Sequence, residues 1–269
     1  MGASTSSVIR KHKEVLRENV LAKIEDAPEI FDDDGNQEKR DEIVDFIADS
    51  FVGKPGTTET IDPLFLWLVD EEGLRTEERN RRLSELTLYG MRFVNYPLFT
   101  RGMILTIRDS EGLLGVAMLG LPGIQTCPTS MFLSLVMKLG SPPWEKWSGS
   151  KDAAKRMQSV EVLDKLKKMF AEQYGGFWYL QTLATHQRAR GKGYGGKLLN
   201  TIASIADYTR KAVYLETESS RHEVFYNRYG YKTIAKPDMV VKNPSVPQRA
   251  MNMWLMLREP QPVTMDPMP

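Results

Sequence analysis

The sequence has one cysteine, Cys127, and three histidines among its 269 residues. A single cysteine cannot form a disulfide bond within the chain. This excludes a disulfide-rich scaffold and fits a reducing compartment such as the cytoplasm. His12, His186 and His222 lie far apart in the sequence, so they lack the clustered spacing of a zinc site. We therefore expect a cytoplasmic protein that holds no metal ion.

The sequence also lacks an excess of charge and a long apolar run. It has 36 Lys and Arg against 35 Asp and Glu, a net charge of +1, whereas nucleic-acid binding usually needs a clear basic excess. No stretch approaches the roughly 18 uninterrupted apolar residues of a membrane span. The N-terminus lacks the apolar segment of a secretory signal. We expect no nucleic-acid partner and no spanning helix.

The N-terminus fits a lipidation pattern. Met1–Ser6 has glycine second and serine sixth, as N-myristoylation requires. Arg10, Lys11 and Lys13 would add attraction to an anionic membrane, because one acyl chain alone anchors weakly. A frayed, serine-rich start of a soluble protein is the interpretation we favour. Membrane contact is expected only if Gly2 is myristoylated.

The hydrophobic pattern predicts one large domain of helices and strands. Hydrophobic residues make up 41% of the chain, enough for a sizeable core. We expect a mobile or helical segment over residues 1–18, a single domain over 19–259 and a disordered tail over 260–269. The predicted helices are Val8–Val20, one carrying Ile43 to Phe51, Glu77–Val94, Gly193–Asp207 and Ser220–Arg228. The predicted strands are Val20–Glu25 (weak), the hairpin pair Gly102–Arg108 and Leu113–Leu119, Phe177–Thr185, Ala212–Thr217, Tyr231–Ile234 and Met251–Leu257.

A helical insert is predicted over about residues 124–176, with a break at Gly140–Pro143. Its two apolar faces are predicted to pack in the core. The faces consist of Met131, Phe132, Leu135, Val136 and Leu139, and of Val162, Leu163, Leu166, Met169 and Phe170. Trp144 and Trp147, beside the break, are candidates for lining a substrate pocket.

The most informative segment is a glycine-rich loop, Thr185–Lys197, between a predicted strand and a predicted helix. Glycines there let backbone N–H groups converge without obstruction by side chains, and a helix N-terminus adds partial positive charge. Arg190 and Lys192 supply further positive charge. This combination predicts a site for a phosphate or pyrophosphate group.

Three phosphate motifs overlap in this loop. A P-loop is excluded, because Leu198 stands where Ser or Thr must bind magnesium. Gly191, Gly193 and Gly196 also spell the dinucleotide fingerprint, with Glu216 about 20 residues further on. That motif, however, brings its strand almost directly to the first glycine. Here five residues separate the predicted strand from the first glycine, which argues against a dinucleotide fold.

The third motif is that of a known family. Leu183-Ala184-Thr185 followed by Arg190–Gly195 resembles the acetyl-coenzyme A loop of the GNAT N-acetyltransferases, and Phe225–Tyr231 resembles the family's second motif. Two motifs in the right order are more specific than either alone. The resemblance, over about Phe177–Tyr231, implies an α/β (α+β) fold. In that fold helices flank a mixed, mostly antiparallel central sheet of about six to seven strands, and a helical insert precedes the coenzyme A-binding strand.

The resemblance also implies roles for individual residues. Acetyl-CoA is the expected co-substrate. The strand carrying Leu183, Ala184 and Thr185 would splay from its neighbour and contact the pantetheine arm. The pyrophosphate would be held by Arg190, Gly191, Lys192, Gly193, Tyr194, Gly195 and Gly196. Tyr226 matches the position that protonates the departing thiolate, and its ordinary pKa of about 10 keeps it a proton donor at neutral pH. A core aromatic is the alternative.

The general base is the remaining role. Glu216, at the end of the next strand, is the candidate, and a solvated strand-end carboxylate is the alternative; a chain of waters can also serve. The expected function is transfer of acetyl from acetyl-CoA to a primary amine of a small molecule, by direct attack in a ternary complex. The alternatives are a protein-lysine or N-terminal acetyltransferase, and a non-catalytic module that binds coenzyme A.

Overall fold

The computed structural model describes residues 5–32, 34–52, 62–68, 76–140, 153–241 and 251–262. The helices of these ranges are α1 Thr5–Asn19, α2 Gln37–Val52, α3 Pro63–Leu68, α4 Thr76–Arg101, α5 Thr129–Leu139, α6 Ala153–Ser159, α7 Glu161–Gln173, α8 Tyr194–Thr209 and α9 Ser220–Asn227. The strands are β1 Glu29–Ile30, β2 Gly102–Asp109, β3 Gly112–Gly120, β4 Phe177–Thr185, β5 Ala212–Thr217, β6 Lys232–Ala235, β7 Asp238–Met239, β8 Met251–Asn252 and β9 Trp254–Arg258.

Seven strands form one mixed sheet in the order β1-β2-β3-β4-β5-β9-β6. Every neighbouring pair is antiparallel except β4 and β5, which are parallel. The expected fold class, a mostly antiparallel mixed sheet of six to seven strands flanked by helices, is therefore confirmed. The two short strands β7 and β8 pair separately, an element that the sequence did not predict.

Helices cover both faces of the sheet. On one face, α1 and α8 pack on the strands through apolar side chains that include Leu16, Leu198 and Ile202. On the other face, α2 and α4 lie over β2 to β4, and α7 lies over β5 and β9. This explains why nearly every residue of β2 and β3 is buried: a strand covered on both faces is a continuous apolar run.

Two predictions of secondary structure are wrong. Val20–Glu25 does not form a strand: Leu21–Lys23 is a short 3-10 helix, and Val20 and Leu21 are both buried, a pattern that strand alternation with one buried face does not give. Helix α4 continues past Val94, through Pro97, to Arg101. The additional turns bury Leu98 and Phe99, and this packing offsets the hydrogen bond that proline cannot donate.

The insert contains α5, α6 and α7, as expected for a helical region. Its apolar faces are less buried than predicted. In α7, Leu163 and Phe170 are in the core but Met169 is 48% exposed. In α5, Leu135 is buried, whereas Phe132 is 46% exposed and touches α4 through an edge contact with Phe93. The predicted core face of α5 is therefore wrong, because only one edge of the helix meets the domain.

Trp144 and Trp147 lie outside the described residues, as does Gly2. No helix within the described ranges is long and apolar enough to cross a membrane.

Candidate functional site

Strands β4 and β5 pair only over their first four residues, Phe177–Leu180 with Ala212–Leu215. Beyond this point β4 continues to Thr185 paired only with β3, while β5 continues to Thr217 paired only with β9. The two strands therefore separate, and within the described ranges no strand pairs with the β5-facing edge of β4 from Gln181 onward. Such an edge carries backbone N–H and C=O groups that an extended ligand can bind.

A β-bulge lies at the point of separation. Leu180 is paired with Leu119 and Thr182 with Met118, so Gln181 is an extra residue on β4. The extra residue reverses the alternation of the side chains. Leu180 and Leu183 both pack toward the α8 face, whereas Thr182 donates a hydrogen bond of 2.9 Å to buried Asn95 on the opposite face.

The glycine loop begins immediately after β4. Gly191 and Gly193 have φ angles of +74° and +84°, the left-handed region in which other residues are strained. A Cβ atom built at either position would meet no atom within 4 Å. Backbone conformation, rather than close packing, therefore requires glycine at both positions, and the space beside them is open to a ligand.

Several amide groups of this loop have no acceptor in the described part of the chain. The Arg190 and Lys192 amides bond to the carbonyls of Gln187 and Ala189, each at 3.2 Å. By contrast, no hydrogen bond is made by the amides of Gly191, Gly193, Tyr194, Gly195 and Gly196. The last three form the first turn of α8, where the helix dipole adds partial positive charge. These groups fit the pyrophosphate of coenzyme A.

The segment between β4 and the glycines is anchored at two points. Arg188 forms two hydrogen bonds, of 2.6 and 2.8 Å, to Asp109 in the β2–β3 turn. The same hydrogen bond lowers the pKa of Asp109 to about 2. Arg190 extends toward α2 and donates to the Ser50 carbonyl at 3.4 Å. The side chain of Arg190 is therefore engaged within the protein, and its expected contribution to phosphate binding stays a prediction.

A cavity of about 380 Å³ lies beside the loop. Its lining includes Gly193, Gly196, Lys197, Asn200 and Tyr229. Tyr229 lies so close to α8 that a Cβ atom on Gly196 would be 2.1 Å from its hydroxyl oxygen. Lys197, Asn200 and Tyr229 are not among the predicted site residues, although Tyr229 belongs to the second family motif.

Aromatic side chains connect this cavity to β4. Phe225 and Thr185 approach the same residue: a Cβ atom on Gly195 would lie 3.5 Å from the Phe225 ring and 3.7 Å from the Thr185 methyl group. The Phe225 ring contacts Tyr226 and Tyr229, with centroids 5.3 and 5.2 Å apart. The fold therefore brings the end of β4, the start of α8 and α9 together, as the two motifs predicted.

Tyr226 is partly buried, and its hydroxyl group has no hydrogen-bond partner among the described residues. Burial raises the pKa of Tyr226, and the negative charge of Glu218 adds to this effect. The phenol therefore stays protonated over the whole physiological range and is free to donate a proton.

Glu218 belongs to a second polar group that the sequence analysis missed. Burial, and then the charge of Glu218, raise the pKa of Asp62, which precedes α3. His222 Nδ1 lies 3.6 Å from the Glu218 carboxylate and 3.2 Å from the Thr217 hydroxyl. The only signal of Glu218 in the sequence is its place one residue after β5. Asp62 has the pattern of a helix N-cap, Asp-Pro, which carries no catalytic information.

Glu216, the predicted general base, lies in a different network. Its two carboxylate oxygens accept hydrogen bonds from the hydroxyl groups of Tyr214 at 2.9 Å and Tyr179 at 3.1 Å. The Lys167 ammonium of α7 lies 4.5 Å from the centre of the Tyr179 ring and pairs with Asp164 at 2.8 Å. Burial, with the Glu216 charge next in size, raises the pKa of both tyrosines. This network connects the insert to β5, and a catalytic role for Glu216 stays a prediction.

The described residues contain no group of three or more His, Cys, Asp or Glu side chains that could hold a metal ion.

Comparison with known families decides the identity of this region. Residues 163–233 match the acetyltransferase (GNAT) domain. The matched segment contains β4, the glycine loop, α8, β5 and α9, with most of α7 before them. Residues 163–233 therefore belong to a GNAT acetyltransferase domain. The family and the enzyme class that the motifs predicted, an acyltransferase, are confirmed.

No curated protein sequence matches the chain. Among solved structures, the chain resembles a Corynebacterium glutamicum protein described as histone acetyltransferase HPA2 and related acetyltransferase. The two are 22% identical, the match covers 89% of this chain and 99% of that chain, and the TM-score is 0.49. It resembles Drosophila melanogaster polyamine N-acetyltransferase at 14% identity, covering 82% and 95%, with a TM-score of 0.46. It also resembles Aedes aegypti arylalkylamine N-acetyltransferase 2 at 12% identity, with 83% of this chain and 95% of that chain covered and a TM-score of 0.45. These similarities are too distant to bear on the acceptor.

Proposed function

We propose that the GNAT domain binds acetyl-CoA and transfers its acetyl group to a primary amine of a small molecule by direct attack. The observation that carries the proposal is the separation of β4 from β5 next to the glycine loop. Within the described residues, an open strand edge and a row of amides without acceptors lie there, and the unpaired phenol of Tyr226 packs against the same core; together they suit a long ligand with an anionic and a reactive end.

The described residues fit the parts of acetyl-CoA in order along the chain. The β4 edge from Gln181 to Thr185 would hold the pantetheine arm through backbone groups, with Leu183 and Thr185 on the α8 side. The five free amides from Gly191 to Gly196 would hold the pyrophosphate, and Lys192 would add positive charge. The cavity beside α8 has room for part of the nucleotide. The bound thioester supplies an activated acyl group.

Tyr226 is proposed as the proton donor to the departing sulfur. Its hydroxyl has no competing acceptor among the described residues, and its raised pKa keeps it protonated. General acid catalysis of this kind contributes about 10²–10⁴-fold to rates. Tyr226 packs against the same core as Leu183, which supports a position beside the proposed thioester site.

The acceptor is proposed to be a small amine because the carboxyl group whose charge acts on Tyr226, that of Glu218, is largely buried, with 13% of its side chain exposed. A free ammonium group reaches such a position more easily than a side chain on a folded protein surface does.

For location, we propose the cytoplasm, with no nucleic-acid partner and with membrane contact only if Gly2 is myristoylated. The support for these last points is the sequence alone.

A panel of acceptors tests the proposal. Release of free thiol from acetyl-CoA would be measured with four acceptors: phenethylamine, 1,4-diaminobutane, a lysine-containing peptide and a peptide with a free N-terminus. Binding of coenzyme A would be measured separately by calorimetry. We expect coenzyme A binding and turnover with at least one small amine. Turnover with a peptide alone would favour a protein acetyltransferase. Binding without thiol release from any acceptor would favour a non-catalytic coenzyme A module and refute the proposal.

A further inference from the structure

A side-chain hydrogen bond joins β4 to β5 at the point where the two strands separate. The last backbone pair between them is Leu180 with Leu215. Glu216 is the next residue of β5, and its backbone is paired with Leu255 of β9 instead. Its carboxylate nevertheless accepts a hydrogen bond of 3.1 Å from the hydroxyl group of Tyr179 on β4. We call this bond the cross-strand link; it reaches one residue beyond the last backbone pair.

A second tyrosine bonds to the same carboxylate without crossing between the strands. The Tyr214 hydroxyl donates to the other oxygen of Glu216 at 2.9 Å. Tyr214 and Glu216 lie two residues apart on β5, so their side chains share one face of the sheet. The two hydroxyl groups therefore have the same acceptor and similar distances to it. They differ in that only the Tyr179 bond joins β5 to β4.

The ring of Tyr179 is held by its surroundings before its hydroxyl bonds to Glu216. The Lys167 ammonium of α7 lies 4.5 Å from the ring centre, a cation–π contact, and Asp164 holds this ammonium at 2.8 Å. The Tyr214 ring packs against the Tyr179 ring, with centroids 5.8 Å apart. Because the ring is already ordered, its hydroxyl loses little further freedom when it bonds to Glu216. The cross-strand link is therefore a rigid connection.

The two linked strands carry different parts of the proposed site. The β4 edge over residues 181–185 is the proposed position of the pantetheine arm and the thioester. Strand β5 ends at Thr217 and leads through two residues to α9, which carries Tyr226. Each strand is paired on its outer side, β4 with β3 and β5 with β9. The distance from Tyr226 to the thioester therefore depends on how far β4 and β5 diverge.

We propose that Tyr179 and Glu216 are positioning residues: the cross-strand link fixes the divergence of β4 and β5 and thereby places Tyr226 relative to the thioester. This inference rests on the proposed acetyl transfer and gives Glu216 a geometric role in place of that of the general base. Both of its carboxylate oxygens accept tyrosine hydroxyls, which suits a fixed anchor. Loss of the link would let the strands shift against each other at the mouth of the gap.

Tyr179→Phe and Tyr214→Phe are a matched pair of variants, assayed with acetyl-CoA and the fastest amine of the panel above. Each removes one hydroxyl group and one bond to Glu216 and keeps the ring. We expect Tyr179→Phe to lower kcat/KM by about 10–10²-fold, because a small misplacement of reacting groups is costly. Coenzyme A affinity, measured by calorimetry, should weaken about three- to tenfold. Tyr214→Phe should leave both quantities within about threefold of wild type.

Urea unfolding of the same two variants separates positioning from stability. Each variant loses one hydrogen bond to a carboxylate, so we expect similar losses in the free energy of unfolding. A purely structural role would then lower kcat/KM equally in both. Equal losses of kcat/KM in Tyr179→Phe and Tyr214→Phe would overturn the inference.

Substitutions of Glu216 test whether position or charge matters. In Glu216→Gln the amide can accept from one tyrosine hydroxyl and donate to the other, so turnover should stay within about threefold of wild type. Glu216→Ala removes the link, and adding Tyr179→Phe to it should cause no further loss, since both changes break the same bond. A loss in Glu216→Gln as large as in Glu216→Ala would overturn the positioning role and favour a general base. If Glu216→Ala does not fold, the matched tyrosine pair decides alone.

The outcomes separate this inference from the function on which it rests. If wild type binds no coenzyme A, or releases thiol with no acceptor, the proposed function and this inference both fail. If wild type is active and Tyr179→Phe retains kcat/KM and coenzyme A affinity within about threefold, only this inference fails.

Discussion

Replacing Gly196 with alanine tests the closest contact in the site. Gly196 lies in the first turn of α8, and an added Cβ atom would be 2.1 Å from the Tyr229 hydroxyl oxygen and 3.0 Å from the ring carbon that bears it. Non-bonded heavy atoms settle at about 3.5 Å, so the hydroxyl group must retreat by roughly 1 Å or more. The Tyr229 amide is bonded to the Tyr226 carbonyl at 2.9 Å, which transmits the displacement to the proposed proton donor.

Two opposing effects set the magnitude. Alanine is a better helix former than glycine by about 0.5–1 kcal/mol, whereas overpacking a filled position costs about 1–3 kcal/mol. Because the helical gain is the smaller, we expect Gly196→Ala to reduce the free energy of unfolding by about 1 kcal/mol. Adding Tyr229→Phe removes the clashing oxygen, so the double variant should recover most of that loss.

Urea unfolding of the wild type, both single variants and the double variant measures this coupling, and calorimetry with coenzyme A measures its effect on the site. We expect a coupling energy of about 1 kcal/mol and weaker coenzyme A binding by Gly196→Ala. If Gly196→Ala is as stable as wild type and binds coenzyme A equally well, Tyr229 does not rest on Gly196 and the described cavity wall is wrong.

Three further predictions follow from the same region. Gly193→Glu should abolish coenzyme A binding by placing a carboxylate at the proposed pyrophosphate position; unchanged affinity of a folded variant would refute the loop assignment. Tyr226→Phe should lower turnover toward the low end of ~10²–10⁴-fold, since a thiol is itself a fair leaving group, and retention within about threefold would make Tyr226 a packing residue. Because the pKa of Asp62 is raised in the folded state, folded protein binds more protons than unfolded protein above pH 4, and stability falls as pH rises. Asp62→Asn removes this penalty, so the melting temperature of wild type should fall relative to that of the variant as the pH rises above about 4; parallel profiles would contradict the raised pKa.

The sequence predicted the parts of the fold that depend on local pattern. The limits of β4 and β5 match their predicted limits, because each is a short apolar run bounded by glycine or polar residues. Residues from Thr185 to Gly196 meet α9 as the two motifs implied. Local pattern failed where tertiary packing decides, as in α4 beyond Val94, where buried Leu98 and Phe99 sustain the helix through Pro97.

The pair of Asp62 and Glu218 could not be predicted in this way. The two positions lie more than 150 residues apart, and a single sequence carries no signal that the charge of one acts on the other. The sequence predicts Glu216 as the base because it lies near the end of a strand, yet strand position alone does not reveal that Tyr179 and Tyr214 occupy both of its oxygens. The bulge at Gln181 was equally hidden, because it depends on the register with β3.

The place of β9 in the sheet has a consequence for synthesis of the protein on the ribosome. Strand β9 lies between β5 and β6, although it follows both in the chain, and in the sheet β6 pairs only with β9. Until Arg258 has left the exit tunnel, β5 presents a bare edge beside the site and β6 has no place to dock. At about 5–20 residues per second, the nascent chain waits on the order of one to five seconds in this state after β6 is made. Exposed edges attract other chains, so we expect this interval to be the one in which the nascent protein most needs a chaperone.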